Sequence, residues 1–313
     1  MNSLLKSEAI KSSAIVPTDE DIVDIVESAL AEDLRSPTLA LTEDLTTYWT
    51  IAPNTRAEAQ IVAKQQGVVA GVDVASTVFK RLDPSMQCTY RATDGSMVNV
   101  GDNVIEIKGF AHPLLTGERT ALNFLQRLSG TASLTQKFVE AVHGTGVHIT
   151  DTRKTTPGLR RLEKYAVCCG GGVSHRSGLY DAVLIKENHA AAAGGVVASV
   201  LIAREQLRSA NQGKRSDHIR IMVEARNLAE VTKLVAMENF LRPDRILLDN
   251  MIKDQIQEAV SIIRPADPPI EIEATGGIDL DNVRDVATTG VDLISIGALT
   301  HSAPALDLSL LFK

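Results

Sequence analysis

The densest chemistry in this sequence lies between Asp151 and Lys186. The stretch holds seven basic residues (Arg153, Lys154, Arg160, Arg161, Lys164, Arg176 and Lys186) against three acids, Asp151, Glu163 and Asp181. It is therefore +4 inside a chain of formal charge −7, and the remainder carries −11. A cationic island on an acidic protein suits a small polyanionic ligand, whereas a nucleic acid would need a basic face. Asp151-Thr152-Arg153-Lys154 follows the β-branched run 147–150, and Lys186 follows the apolar run 182–185. Gly170-Gly171-Gly172 stands just before His175-Arg176 and reads as a flexible hinge able to deliver them to a site.

The elements that must position these groups are legible downstream of Gly146. Strand-like runs recur at 147–150, 182–185, 219–224, 245–249, 270–275 and 293–297. Between the last four lie segments amphipathic at period 3.6. Near-continuous apolar strands alternating with helices predict a parallel sheet covered on its faces, and the number of repeats favours a barrel. Right-handed crossovers then bring every strand's C-terminal end to one rim, where barrel enzymes build their sites.

The strand ends read in order as Asp151 to Lys154, Lys186-Glu187-Asn188, Glu224, Asp249-Asn250, Thr275-Gly276-Gly277 and Gly297. Two acids close to at least three cations suit a metal-chelated phosphate ester held by lysine and arginine. Gly276-Gly277 after one strand, and Ser-Ile-Gly-Ala after the next, are where barrels seat a phosphate on bare backbone amides. The sequence contains no HExxH, GxGxxG or P-loop pattern and no recognisable serine–histidine–acid triad. The residues alone describe a barrel enzyme or binder for a phosphorylated, metal-complexed ligand and an anionic partner.

The N-terminal part is organised differently. Residues up to about Val16 read as a loose tail. Thr18 can cap a helix whose apolar face is Ile22, Val23, Ile25, Val26 and Leu30. Residues 56–71 predict two short strands around Gly67, 72–82 a helix, and 94–109 a β-hairpin within a small open sandwich. Residues 113–143 predict a long helix carrying Arg119 near its start, by itself an ordinary solvated arginine. Cys88, Cys168 and Cys169 form no disulfide framework, and the adjacent pair reads as small packing residues beside glycines. No secretory or transit signal is visible and no apolar run approaches about 18 residues, so the sequence predicts a cytoplasmic protein that spans no membrane.

At this point a resemblance enters. TDTRKTTPGLRRLEKYAV, GGGVSHRSGLYDAVLIKENH, LLDN, EATGGI and ISIGALTHS, with EDLTT and GERTALN upstream, together resemble the quinolinate phosphoribosyltransferase family, from about Asp19 to the C-terminus. The resemblance implies an α/β fold in which an incomplete parallel β/α barrel, residues 130–299, follows an N-terminal α+β open sandwich, residues 17–129, joined by 300–313. It implies transfer of a phosphoribosyl group from phosphoribosyl pyrophosphate to quinolinate with Mg²⁺, releasing pyrophosphate and CO₂ and giving nicotinate mononucleotide for NAD biosynthesis. It also implies homodimers, or assemblies of dimers, with shared active sites.

Position by position, Arg119 would reach a neighbouring subunit's site. Arg153, His175 and Arg176 would bind the quinolinate carboxylates with help from Thr152, and Lys154 and Lys186 would contact quinolinate or pyrophosphate. Glu224 and Asp249 would serve the ribose hydroxyls and Mg²⁺, and Thr275, Gly276 and Gly277 with Ile296, Gly297 and Ala298 the 5′-phosphate. Two departures stand out. Met222 occupies a position where the family often has a second acid, and the segment 35–41 lengthens the link after the first helix. A relative that uses another base with the same donor, and a catalytically silent phosphoribosyl-binding scaffold, are the competing expectations.

Overall fold

The computed structural model describes residues 15–35, 43–210 and 219–313. The lengthened link at 35–41 thus lies, apart from Arg35, outside the described residues, as does most of the N-terminal tail. The described residues divide into two units. The first comprises those up to Gln136 with Lys154–Gly172 and Ala298–Lys313; the second comprises Lys137–Arg153 and Val173–Gly297.

In the first unit, α1 (Asp19–Leu34) starts at a reciprocal cap. Thr18 Oγ1 accepts the Asp21 N–H at 3.2 Å, and the Asp21 carboxylate accepts the Thr18 N–H at 2.9 Å. Its Val26 and Leu30 are buried, with Ile22 and Ile25 packed beside them. Then come α2 (Leu45–Thr50), β1 (Arg56–Ala63), β2 (Gly67–Val68), α3 (Val72–Leu82), β3 (Gln87–Tyr90), β4 (Met97–Val98), β5 (Asn103–Phe110) and the long α4 (Ala111–Ala141). α5 (Arg160–Cys169), α11 (Ala298–His301) and β12 (Leu308–Phe312) complete it.

Four strands form an antiparallel sheet in the order β12-β1-β5-β3. Period-2 alternation sends Ala59, Ile61 and Ala63 of β1, with Ile105 and Ile107 of β5, into the core beside Val78, Phe79 and Leu125. The opposite face is charged: Lys108 pairs with Glu58 at 2.9 Å and Lys313 with Glu106 at 2.8 Å.

Two sequence expectations are corrected here. Residues 94–109 do not form a hairpin: β4 pairs with β2, while β5 lies between β1 and β3. The reason is Asp94, whose Oδ1 accepts the N–H groups of Gly71 at 2.9 Å and Val72 at 3.1 Å and so caps α3. Backbone bonds between Gly95 and Val69 and between Val69 and Ser96 then tie this strand beside β2. Nor is Gly170–Gly172 a hinge. Gly171 N–H donates to Cys168 O and Gly172 N–H to Val167 O, both at 3.0 Å, which closes the end of α5. A Cβ on Gly170 would stand 2.3 Å from the carbonyl oxygen of Ala132 on α4, so glycine is required there by packing.

The second unit carries β6 (His148–Thr150), β7 (Ala182–Ile185), α6 (Glu187–Ala192), α7 (Val196–Ala210), β8 (Arg220–Ala225), α8 (Leu228–Val235), a 3₁₀ turn at Asn239–Leu241, β9 (Arg245–Asp249), α9 (Lys253–Ile263), β10 (Glu271–Thr275), α10 (Val283–Ala287) and β11 (Leu293–Ser295). The six strands are parallel, in the order β6-β11-β10-β9-β8-β7. β6 and β7 are the two edges and do not pair with each other, so the barrel is incomplete.

Along these strands Ile221, Val223, Ile246, Leu248, Ile272, Ala274 and Ile294 are wholly buried, and the helices contribute Val231, Leu234, Ile256 and Ile263. The alternate positions, Met222, Glu224, Arg245, Asp249, Glu271, Glu273 and Thr275, share the other face of the sheet. Registers such as Asp249 opposite Thr275 and Ser295 opposite Thr150 align the C-terminal ends on one rim.

Candidate active site

Of the residues singled out above, Thr152, Arg153, His175, Arg176, Lys186, Glu224, Asp249, Thr275, Gly276, Gly277, Ile296 and Gly297 all belong to the second unit. Arg119, Lys154 and Ala298 belong to the first, the last two following Arg153 and Gly297 directly in the chain. Arg119 is exposed on α4, and Lys154 is exposed with its carbonyl accepting the Thr300 hydroxyl at 2.7 Å.

The cations of the barrel unit converge. Arg176 follows His175 on the connection into β7, and its Nη1 donates to Ala182 O at 3.3 Å. Burial pulls its guanidinium below the usual arginine range; the charge of Arg153 acts in the same direction, partly offset by Asp181 and Glu224. Two half-buried guanidiniums that feel each other's charge form a site that an anion relieves. Lys186, exposed at the end of β7, reaches Glu224 at the end of β8 with an Nζ–Oε1 distance of 2.5 Å. Asp249 ends the next strand and accepts the Asn250 side-chain amide at 3.0 Å. Along this rim β7 thus ends in a cation and the adjoining β8 and β9 end in carboxylates.

Past β10 the backbone turns sharply, with φ of 89° at Gly276 and 64° at Gly277. A side chain on Gly276 would collide with Asn250, whereas nothing lies within 4 Å of a Cβ on Gly277. A cavity of about 370 Å³ opens here, lined by Asn250, Lys253, Thr275, Gly276, Gly277 and Asn282. Thr275 Oγ1 accepts from Ser295 Oγ at 2.8 Å, and Ile296 N–H donates to Thr150 O at 3.0 Å, which joins the glycine turn to the neighbouring strand ends.

A buried layer beneath the rim escaped the sequence reading. Arg245 is almost buried. Its Nε and Nη2 meet Glu271 at 2.7 and 2.6 Å, and its Nη1 meets Glu273 at 2.7 Å. Glu273 is wholly buried and also lies 3.2 Å from His175 Nε2. Burial alone would raise its pKa, but the His175 bond and the Arg245 charge outweigh that and hold the carboxyl below the usual range. Asp151, also wholly buried, accepts the His175 N–H at 2.9 Å. The signal was present: two glutamates at alternating positions in a core strand, in IEIEAT, must share one buried face. Met222, 3% exposed, sits opposite Arg245 in the register.

The cysteines take no part. Cys169 is pushed up to about 12 by burial and then by the Asp94 charge, so its thiol stays protonated, and Cys168 is buried beside it.

With this geometry in place, comparison with known proteins is informative. A family model described as the quinolinate phosphoribosyl transferase C-terminal domain matches residues 131–311, and its N-terminal counterpart matches 44–129. The chain belongs to the quinolinate phosphoribosyl transferase family. Among similar members, a Synechocystis protein described as a probable nicotinate-nucleotide pyrophosphorylase (carboxylating) is 43% identical, over 82% of each chain. The chloroplastic nicotinate-nucleotide pyrophosphorylase of Arabidopsis thaliana is 39% identical, over 93% of this chain and 82% of its own. Among solved structures, the nicotinate-nucleotide pyrophosphorylase of Francisella tularensis superposes with a TM-score of 0.83 at 36% identity, covering 96% of this chain and 99% of that one. No helix among the described residues of this family member is long and apolar enough to cross a membrane.

Proposed function

We propose that this protein is a decarboxylating quinolinate phosphoribosyltransferase, which converts quinolinate and phosphoribosyl pyrophosphate into nicotinate mononucleotide, pyrophosphate and CO₂. The observation that carries the chemistry is the pairing of Arg153 with half-buried Arg176 next to Lys186 and Glu224. Quinolinate is a dianion and the donor a polyanion, so their encounter requires a cationic rim.

Arg153 and Arg176, with Thr152, hold the two carboxylates and aim the ring nitrogen at C1 of the ribose. That nitrogen's lone pair forms the new C–N bond as the C1–O bond to pyrophosphate breaks, and the bonding pair leaves with the pyrophosphate. Glu224 stabilises the oxocarbenium-like charge that develops at C1. Lys186 and Lys154 receive the leaving anion's charge, and Thr275–Gly277 with Ile296–Ala298 hold the 5′-phosphate. The bond from C2 to its carboxylate then breaks. Its electron pair stays at C2 beside the cationic ring nitrogen, a proton is taken up there, and CO₂ departs. Holding the reactants in place supplies much of the acceleration without a covalent intermediate.

Glu224 and Asp249, at the ends of the adjacent strands β8 and β9, would hold Mg²⁺. Among the described residues no group of three or more His, Cys, Asp or Glu forms a protein cage. A pair of carboxylates fits an ion that takes one or two protein ligands and completes its shell with substrate phosphates and water. When bound, Mg²⁺ neutralises charge on the pyrophosphate.

Incubation with quinolinate, phosphoribosyl pyrophosphate and Mg²⁺ tests the assignment: CO₂ and nicotinate mononucleotide should form in equal amounts, and a folded, donor-binding sample without turnover would refute it. Arg153→Ala should weaken quinolinate binding by about 2–5 kcal/mol and spare the donor; unaltered quinolinate affinity would remove Arg153 from the carboxylate site. Exposed Arg119 completes the site of a second subunit in a homodimer. Mixing inactive Arg119→Ala with inactive Lys186→Ala subunits should restore activity, and no recovery after verified subunit exchange would exclude sharing.

A further inference from the structure

Both nitrogens of the His175 ring are committed inside the protein. Nδ1 accepts the backbone N–H of Arg176 at 2.8 Å. A backbone amide can only donate, so Nδ1 carries no proton and the single ring proton resides on Nε2. Nε2 lies 3.2 Å from Glu273 Oε2 and donates to it, and the His175 side chain is only 7% exposed. Glu273 in turn is held by Arg245 Nη1 at 2.7 Å. The His175 backbone N–H is anchored to Asp151 Oδ1 at 2.9 Å. Each group is thus oriented by the one before it, from Arg245 on β9 through Glu273 on β10 and the His175 ring to the backbone of Arg176.

We propose that Glu273 is a positioning residue for Arg176, acting through His175, and that His175 is a neutral strut and not a cationic ligand of the substrate carboxylate. Protonating Nδ1 would set two N–H donors against each other at the 2.8 Å contact. Using Nε2 for substrate would take from buried Glu273 the donor that orients it. Met222 fits this arrangement. A thioether opposite Arg245 offers no carboxylate, so the guanidinium is left to Glu271 and Glu273. The assignment rests on the proposed reading that Arg176 binds the quinolinate carboxylate.

The test uses the full chain with ¹⁵N-labelled histidine, the His175 ring signals being identified by their loss in His175→Asn. At neutral pH the wild-type ring should carry its proton on Nε2 alone, without and with quinolinate. Glu273→Ala should change these signals and raise KM for quinolinate about 10- to 100-fold while kcat and affinity for phosphoribosyl pyrophosphate stay close to wild type. Glu273→Gln, whose amide oxygen still accepts the Nε2–H, should recover most of the loss. A ring protonated on Nδ1 or on both nitrogens, free or with quinolinate, would overturn the proposal even if Glu273→Ala failed to fold. An unchanged KM in folded Glu273→Ala would do the same. Absence of turnover by the wild type refutes the functional reading instead, because the ring tautomer is read without catalysis.

Discussion

Replacing Arg245 with methionine isolates what the buried charges beneath the rim are worth. The substitution keeps the length and apolar stem of the side chain and sets it beside Met222, its neighbour in the β8–β9 register. It removes the guanidinium from two carboxylates of unequal need. Glu271 is one-third exposed and keeps Arg220 at 2.8 Å, so it loses little. Glu273 is wholly buried and retains the hydrogen bond from His175 Nε2–H but no counter-charge from it. Leaving one member of a buried pair without its counter-charge costs about 3–5 kcal/mol. The surviving His175 bond places Arg245→Met at the lower end, about 3 kcal/mol.

Adding Glu273→Gln removes the stranded charge but leaves an oxygen for the His175 donor, so the double variant should lie within about 1 kcal/mol of wild type. Urea unfolding followed by circular dichroism measures both, with an unchanged slope confirming that the unfolded reference is the same. A single variant that loses less than about 1 kcal/mol, or a double variant as unstable as the single, would refute the claim that Arg245 exists to neutralise Glu273.

Two further outcomes follow from the same geometry. Gly170→Ala would place a methyl 2.3 Å from the Ala132 carbonyl oxygen. It should lower unfolding stability by about 1–3 kcal/mol in a urea titration, whereas a midpoint equal to wild type would mean that α4 and α5 separate easily. Glu106 is lowered from 4.5 to about 2 by Lys313 and then by Arg91. A carboxyl whose folded value is depressed stabilises fully above its unfolded value and loses that contribution as pH falls through the folded one. The advantage of wild type over Glu106→Gln should therefore be constant above pH 4.5, fade as pH falls toward about 2, and shrink with added salt. An advantage that persists at the acid end would contradict this.

What the sequence determined by itself was whatever depends on local period and on residue type at a strand end. Apolar runs of 4–6 residues, each ended by charge, amide or glycine, specified the parallel sheet and most of its rim, because near-continuous apolar strands must be covered on both faces and leave their ends for polar groups. Thr18 with Asp21 specified the start of α1, since the reciprocal cap needs only residues three apart. The tertiary structure decided everything set by partners distant in sequence. β4 chose β2 over β5 because Asp94 was needed to cap α3. Gly170–Gly172 looked flexible in isolation, yet it is a packed helix end because α4 passes 2.3 Å from where a side chain would begin. The family resemblance implied that His175 joins Arg153 and Arg176 in binding the quinolinate carboxylates. Only the fold brings Glu273 and Arg245 beneath it and engages both ring nitrogens, the geometry on which the proposed orienting role rests.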